Sequence, residues 1–364
     1  MKKEAKITVL LLAVLFFGWS VVCWMHPAAE YSVTERRALT QMPKISMQTL
    51  SDGSFMKEFE EYTLDQFPLR DGFRNLKAWA AENVFAKTDN NGIYVADGYA
   101  VKMEYPLKEA SIENAAEKFQ KLYDNDLKEN AGTIFVSVVP DKNYFLAKSS
   151  GHLSMDYEKL FEMLYNAMPY AKPIEIADLL GIEDYYTGDI HWRQERLVDI
   201  AQYMSETMGI TLSESYEQKT WEKDFYGVYH GQTVLDIPGE KLHYLTNETL
   251  DQCKVFNYEN NQWTGIYDLE KVEGKDPYDL FLSGPVSLLR IENPSATTEK
   301  ELVVFRDSFG SSLIPLLAEG YQTIYLADIR YIQSDFLSKF VDFTGKDVLF
   351  LYSTVVLNNS ETFK

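Results

Sequence analysis

A chain of 364 residues that is 46% hydrophobic and 14% aromatic carries enough apolar material for one large packed domain or two smaller ones. Its 55 acidic and 35 basic residues give a formal charge of −20, and without clustered Lys and Arg that balance excludes a nucleic-acid-binding surface. Two cysteines, Cys23 and Cys253, exclude a disulfide framework, and the five histidines show neither HxxxH nor Cys/His spacing, so no metal site is expected.

Lys2, Lys3 and Lys6 precede Ile7 to Met25, an apolar run without charge that is long enough to span a bilayer as a helix. The basic start and acidic downstream flank place the N-terminus inside and the bulk of the chain outside the cytoplasm. A cleavable signal peptide is the alternative, since Ala28 and Ala29 are small; the length of the run and Trp24 at its end favour an uncleaved anchor over residues 1–26. Residues 27–51 read as a polar tether, and residues 52–364 as an α/β domain with an irregular insertion at about 209–293 that covers the site.

From Phe55 the pattern is helical as far as a break at Pro68, and it resumes with Phe73, Leu76, Trp79 and Val84. Asp97-Gly98 between two β-like runs signals a hairpin. A helix over Ala110–Leu127 leads to Thr133–Val139, an apolar strand that ends in Pro140-Asp141-Lys142-Asn143. Then come a helix over Tyr157–Met168, a short strand at Ile174–Ala177 and a helix over Trp192–Met208. Strands alternating with helices predict a mostly parallel sheet covered by helices.

Two stretches carry chemistry. In ELVVFRDSFGSSLIPLLAEGYQTIYLAD, Glu301 to Asp328, a doubly buried strand is followed by a turn, a helix and a second strand, which puts Ser308 at a strand C-terminus, the edge where open α/β sheets bind ligands. Pro315 predicts a kinked helix or a late start with Ser311 or Ser312 as N-cap, and Ser308 as a mere helix cap is the alternative reading. In Thr187-Gly188-Asp189-Ile190-His191-Trp192, extended backbone projects Asp189 and His191 to one side, where a carboxylate orients an imidazole; Asp189 as the cap of a Trp192 helix is the alternative. Together Ser308, His191 and Asp189 supply nucleophile, base and orienting acid. The Ser308 N–H and Gly284 are candidate oxyanion donors, and Arg330 and Tyr331 are candidates to face the cleft.

These two motifs resemble the DHHW family of Gram-positive bacteria and the related alginate O-acetyltransferases. So do Thr34 to Leu39, Tyr62 to Arg70, Gly92 to Val95, Val139 to Lys142 and Ala327 to Tyr331. The resemblance implies an SGNH-hydrolase-like three-layer fold and an acetyl-serine enzyme at Ser308, His191 and Asp189 that transfers or removes O-acetyl groups on a cell-surface or exported polysaccharide. It further implies a membrane-bound O-acyltransferase partner. An acetyl-serine mechanism needs no dissociable cofactor. The family name expects two adjacent histidines, and here the first is Ile190. A non-catalytic glycan-binding or assembly protein on the same fold is the alternative, distinguished by whether the three side chains meet.

Overall fold

The strand Glu301–Arg306 lies in the middle of the main sheet, and its side chains show why the sheet is covered on both sides. Leu302 and Val304 enter one core with residues of the helices Val198–Met208 and Gly310–Leu317, whereas Val303 and Phe305 enter another with the helices Glu109–Leu122 and Tyr157–Ala167. Period-2 alternation sends neighbours to opposite faces, so a strand covered twice must be apolar throughout. Each such side chain contributes about 1.5–3 kcal/mol on burial.

The structure is a computed structural model that describes residues 3–32, 34–35, 37–85, 87–213, 215–233 and 237–364. It divides into two units, Met1–Asn91 with His230–Asp236, and Gly92–Tyr229 with Ile237–Lys364. The second unit holds an eight-stranded sheet. Its strands in chain order are β1 (Ile134–Val139), β2 (Lys172–Pro173), β3 (Lys254–Asn257), β4 (Gln262–Gly265), β5 (Leu288–Glu292), β6 (Glu301–Arg306), β7 (Thr323–Ala327) and β8 (Asp347–Ser353). They are arranged β4-β3-β5-β7-β6-β8-β1-β2. From β7 to β2 all pairings are parallel; β5, β3 and β4 extend the sheet antiparallel. With helices against both faces, this is the expected α/β fold. Because β6, β8 and β1 are parallel, their C-termini bring Ser308, Ser353 and the Pro140–Asn143 loop to one edge.

The Asp97-Gly98 hairpin forms between Ile93–Ala96 and Tyr99–Lys102, with both turn residues at positive φ (50° and 84°), the geometry of the primed turn that such a dipeptide favours. Several predicted boundaries are corrected. The region 209–293 is not an irregular insertion throughout: β3 and β4 extend the sheet, and Glu217–Phe225 pairs with Glu240–Thr246. The helix expected from Trp192 begins at Val198 after a 3-10 turn at Gln194–Arg196, because Trp192 is held in a bridge with Tyr185. Residues 52–91 belong with the N-terminal unit, so the α/β unit starts at Gly92 and not at residue 52.

In the first unit the helix Lys3–Met25 contains a segment, Glu4–Met25, long and apolar enough to cross a membrane. The following residues are not a free tether. Gln66 receives the Ala29 N–H at 2.8 Å and donates to the Ala29 and Thr40 carbonyls at 2.9 and 3.0 Å. Arg37 forks onto Asp65 (2.8 and 2.5 Å), and Glu35 pairs with Arg70 at 2.6 Å and Arg74 at 3.2 Å. The polar residues that made this segment look solvated are used to pin it against the helices Ser54–Asp65 and Arg70–Asn83.

Candidate active site

The turn that carries Ser308 is built by Asp307. Its carboxylate is fully buried; Oδ1 accepts the Phe309 N–H at 3.0 Å, and Oδ2 accepts the N–H and hydroxyl of Ser353, both at 2.7 Å, from the end of β8. Between Leu302 and Ala318 every residue is buried except Ser308. The helix starts at Gly310 with Phe309 as N-cap and no side-chain cap, so neither Ser308, Ser311 nor Ser312 serves as the cap. A side chain at Gly310 would lie 3.0 Å from Arg306 Cβ, so glycine allows the helix to start that close to the strand end.

The other half comes from the loop Tyr185–Trp192, closed by the bridge between its ends and by the Tyr186 N–H on the His191 carbonyl at 3.1 Å. Asp189 and His191 converge here through a bend and not through extended backbone. Asp189 Oδ1 accepts the backbone N–H of His191 at 3.1 Å and contacts its ring Nδ1 at 2.6 Å, while Oδ2 accepts the Val228 N–H at 2.8 Å. Nδ1 therefore carries the proton, and Nε2, 2.8 Å from Ser308 Oγ, is the acceptor for the hydroxyl. Asp189, His191 and Ser308 form one hydrogen-bonded line.

Neighbouring residues hold that line. Tyr278 stacks on the His191 ring, with centroids 3.8 Å apart and 6° between planes, and donates its hydroxyl to Ser312 Oγ at 2.8 Å. Trp192, fully buried, donates Nε1–H to the Phe309 carbonyl at 3.0 Å and to Ser312 Oγ at 2.9 Å, and Gln194 donates to the Ser312 carbonyl at 2.8 Å. The serine helix and the histidine loop are thus tied together one turn beyond Ser308. Beneath the loop lies Lys142, from the Val139–Lys142 stretch. Its ammonium donates to the carbonyls of Tyr186 and Thr187 at 2.9 and 3.0 Å and faces the rings of Tyr229 and Tyr99. Burial pulls its pKa down to about 7, against the opposing pull of Asp189 and Glu240.

No family model matches the chain, and no curated protein does. Among solved structures, a DHHW family protein from Eubacterium siraeum superposes with a TM-score of 0.62 at 20% identity, covering 75% of this chain and 95% of that one. The chain has the DHHW fold. Bacillus cereus PatB1 superposes with a TM-score of 0.57 at 21% identity, covering 74% of this chain and 97% of its own, and it has also been solved with a sulfonyl adduct. The O-acetyltransferase domain of Pseudomonas putida AlgJ matches at a TM-score of 0.43 and 10% identity, too loose a superposition to carry an argument.

On this DHHW scaffold the residue at the position of the first histidine, Ile190, packs against the hydrophobic core. The remaining candidates are engaged by other partners. Gly284, at φ +82°, already donates its N–H to the Phe281 carbonyl at 3.3 Å, which corrects its expected role as an oxyanion donor: the turn consumes that group. Arg330 engages Asp328 with Nε and Nη2 at 2.9 and 2.6 Å, and Tyr331 is half exposed beneath its guanidinium. Trp192 was marked in the sequence as the last residue of the Asp-x-His-Trp motif, whereas nothing local distinguished Tyr278 from other core aromatics.

Proposed function

We propose that this protein is a membrane-tethered, extracytoplasmic serine enzyme that transfers or removes O-acetyl groups on a cell-surface or exported polysaccharide. The observation that carries the reading is the line from Asp189 through His191 to Ser308, at 2.6 and 2.8 Å, ending at the one partly exposed residue of its stretch. His191 Nε2 takes the Ser308 proton as Oγ attacks the acetyl carbonyl, and Asp189 stabilises the resulting imidazolium. Among the described residues the Ser308 N–H makes no hydrogen bond, which leaves it available to the tetrahedral oxyanion. Collapse expels the donor oxygen with the proton from His191 and leaves acetyl-Ser308. A sugar hydroxyl or water, deprotonated by His191, then takes the acetyl group and Ser308 regains its proton. The apolar Glu4–Met25 helix supports the tether, and the family resemblance extends the proposal to a membrane-bound O-acyltransferase that supplies the acetyl group.

The test uses full-length protein in detergent. A neighbour carries a sulfonyl adduct, so an aryl sulfonyl fluoride is the first probe, expected to add one sulfonyl group at Ser308 by intact mass and peptide mapping. A small activated acetyl ester should be hydrolysed slowly, because contacts to the glycan are missing. Ser308→Ala removes a hydroxyl that caps no helix, so the variant stays folded while adduct and turnover fall to background. Turnover that persists in Ser308→Ala refutes the assignment; an inert wild type that retains glycan favours the binding-protein alternative.

A further inference from the structure

The helix Arg70–Asn83 is built inside out. Among its described side chains the buried ones are Ala78 and Ala81, at 5% and 9% exposure, whereas Phe73 and Leu76 are 48% and 57% exposed, and flanking Leu69 and Val84 reach 72% and 61%. At 100° per residue, positions 69, 73, 76 and 84 fall within an arc of about 80°, with 78 on the opposite side and 81 about 100° from the arc's centre. Isolated exposed apolar residues are ordinary on a soluble surface; a continuous stripe of large ones over a helix of this length marks a surface that is covered. Arg74, about 120° round the helix from the stripe's centre, is fastened inward to Glu35 at 3.2 Å.

What covers the stripe is indicated by the membrane helix of the same unit. Trp19 packs its ring 5.7 Å from Phe67 and 6.3 Å from Phe73, and those two rings are 5.4 Å apart. Trp19 sits about 9 Å of helix before Met25, inside the apolar segment, so contact with it places Phe73 at the depth of lipid and not of bulk water. We infer that the Arg70–Asn83 helix lies in the bilayer interface, its Leu69–Phe73–Leu76–Val84 stripe facing the acyl chains of the membrane that holds Glu4–Met25. Such a helix, apolar on one face and polar on the other, partitions into the headgroup boundary parallel to the surface. The inference rests on the proposed anchor being retained. It adds that the N-terminal unit is seated on the bilayer and does not hang from a flexible leash.

Spin labels at Leu76→Cys, Val84→Cys and, as a water-facing control, Lys57→Cys decide it, each in full-length Cys23→Ser protein reconstituted into vesicles of phosphatidylethanolamine and phosphatidylglycerol. Collision with oxygen, which concentrates in lipid, should exceed collision with a water-soluble nickel chelate several-fold at 76 and 84, and the order should reverse at 57. Nickel-dominated labels at 76 and 84 overturn the inference. So do labels shielded from both reagents with spin–spin broadening, which would mean that a second copy of the chain covers the stripe. Intact mass of the reconstituted protein tests the anchor separately: loss of the first residues sinks the anchor reading, while the collision order still decides whether the stripe meets lipid.

Discussion

Asp189→Asn is the substitution for which the structure makes the most specific demand. Both carboxylate oxygens accept a backbone N–H, Oδ1 from His191 and Oδ2 from Val228, and Oδ1 also takes the His191 ring. An asparagine therefore has no comfortable orientation. With its oxygen on the histidine side, its NH2 opposes the Val228 N–H; the tautomer is correct, but no negative charge steadies the imidazolium. With the amide flipped, its NH2 opposes the His191 backbone N–H and donates to Nδ1, which forces the ring proton onto Nε2. That nitrogen then cannot accept the Ser308 hydroxyl proton. Either orientation leaves one buried N–H facing another donor, a cost of about 1–3 kcal/mol, and the flipped form loses roughly 10⁴-fold in turnover. We expect denaturant unfolding of the full-length variant to show that stability loss, and acetyl-ester hydrolysis to fall by at least about 10³-fold at unchanged KM. A variant that turns over within tenfold of wild type removes Asp189 from the mechanism, and one of undiminished stability contradicts the double N–H pattern.

Lys142→Met tests the cation under the loop. Burial lowers the folded-state pKa to about 7 from an ordinary 10.5, so between these values the unfolded chain holds a proton that the folded one has released, and wild-type stability rises with pH across that window. The span of about three and a half pH units corresponds to a gain on the order of 5 kcal/mol relative to Lys142→Met, read as the difference in unfolding free energy at pH 6, 8 and 10; a difference that stays flat refutes the burial of the ammonium. Tyr278→Phe keeps the stack on His191 but deletes the hydroxyl bond to Ser312, so stability should drop by about 0.5–1.5 kcal/mol while turnover stays within a few-fold of wild type. A loss of turnover as large as that of Ser308→Ala would instead give the hydroxyl a part in the chemistry.

The sequence determined those features that a few neighbouring residues settle among themselves. An uninterrupted Leu302–Phe305 run can only be a strand covered on both faces, Asp97-Gly98 turns a hairpin, and Asp189 reaches His191 because they are only two positions apart. Even there the local route differed, since a bend and not an extended strand brings the pair together. That His191 meets Ser308, 117 positions away, was legible only as complementary chemistry at two strand-like ends and by family resemblance. The tertiary structure decided everything that depends on what packs against what. Gly284 lost its donor to its own turn, and Tyr278 became the platform under the histidine. The presumed tether was folded down by Arg37, Glu35 and Gln66, whose polarity alone cannot say whether water or a partner satisfies them. For the same reason the apolar pattern of residues 69–84 marked a helix but not its direction: periodicity shows that one face is apolar, and only the buried Ala78 and Ala81 show that the protein interior lies on the other.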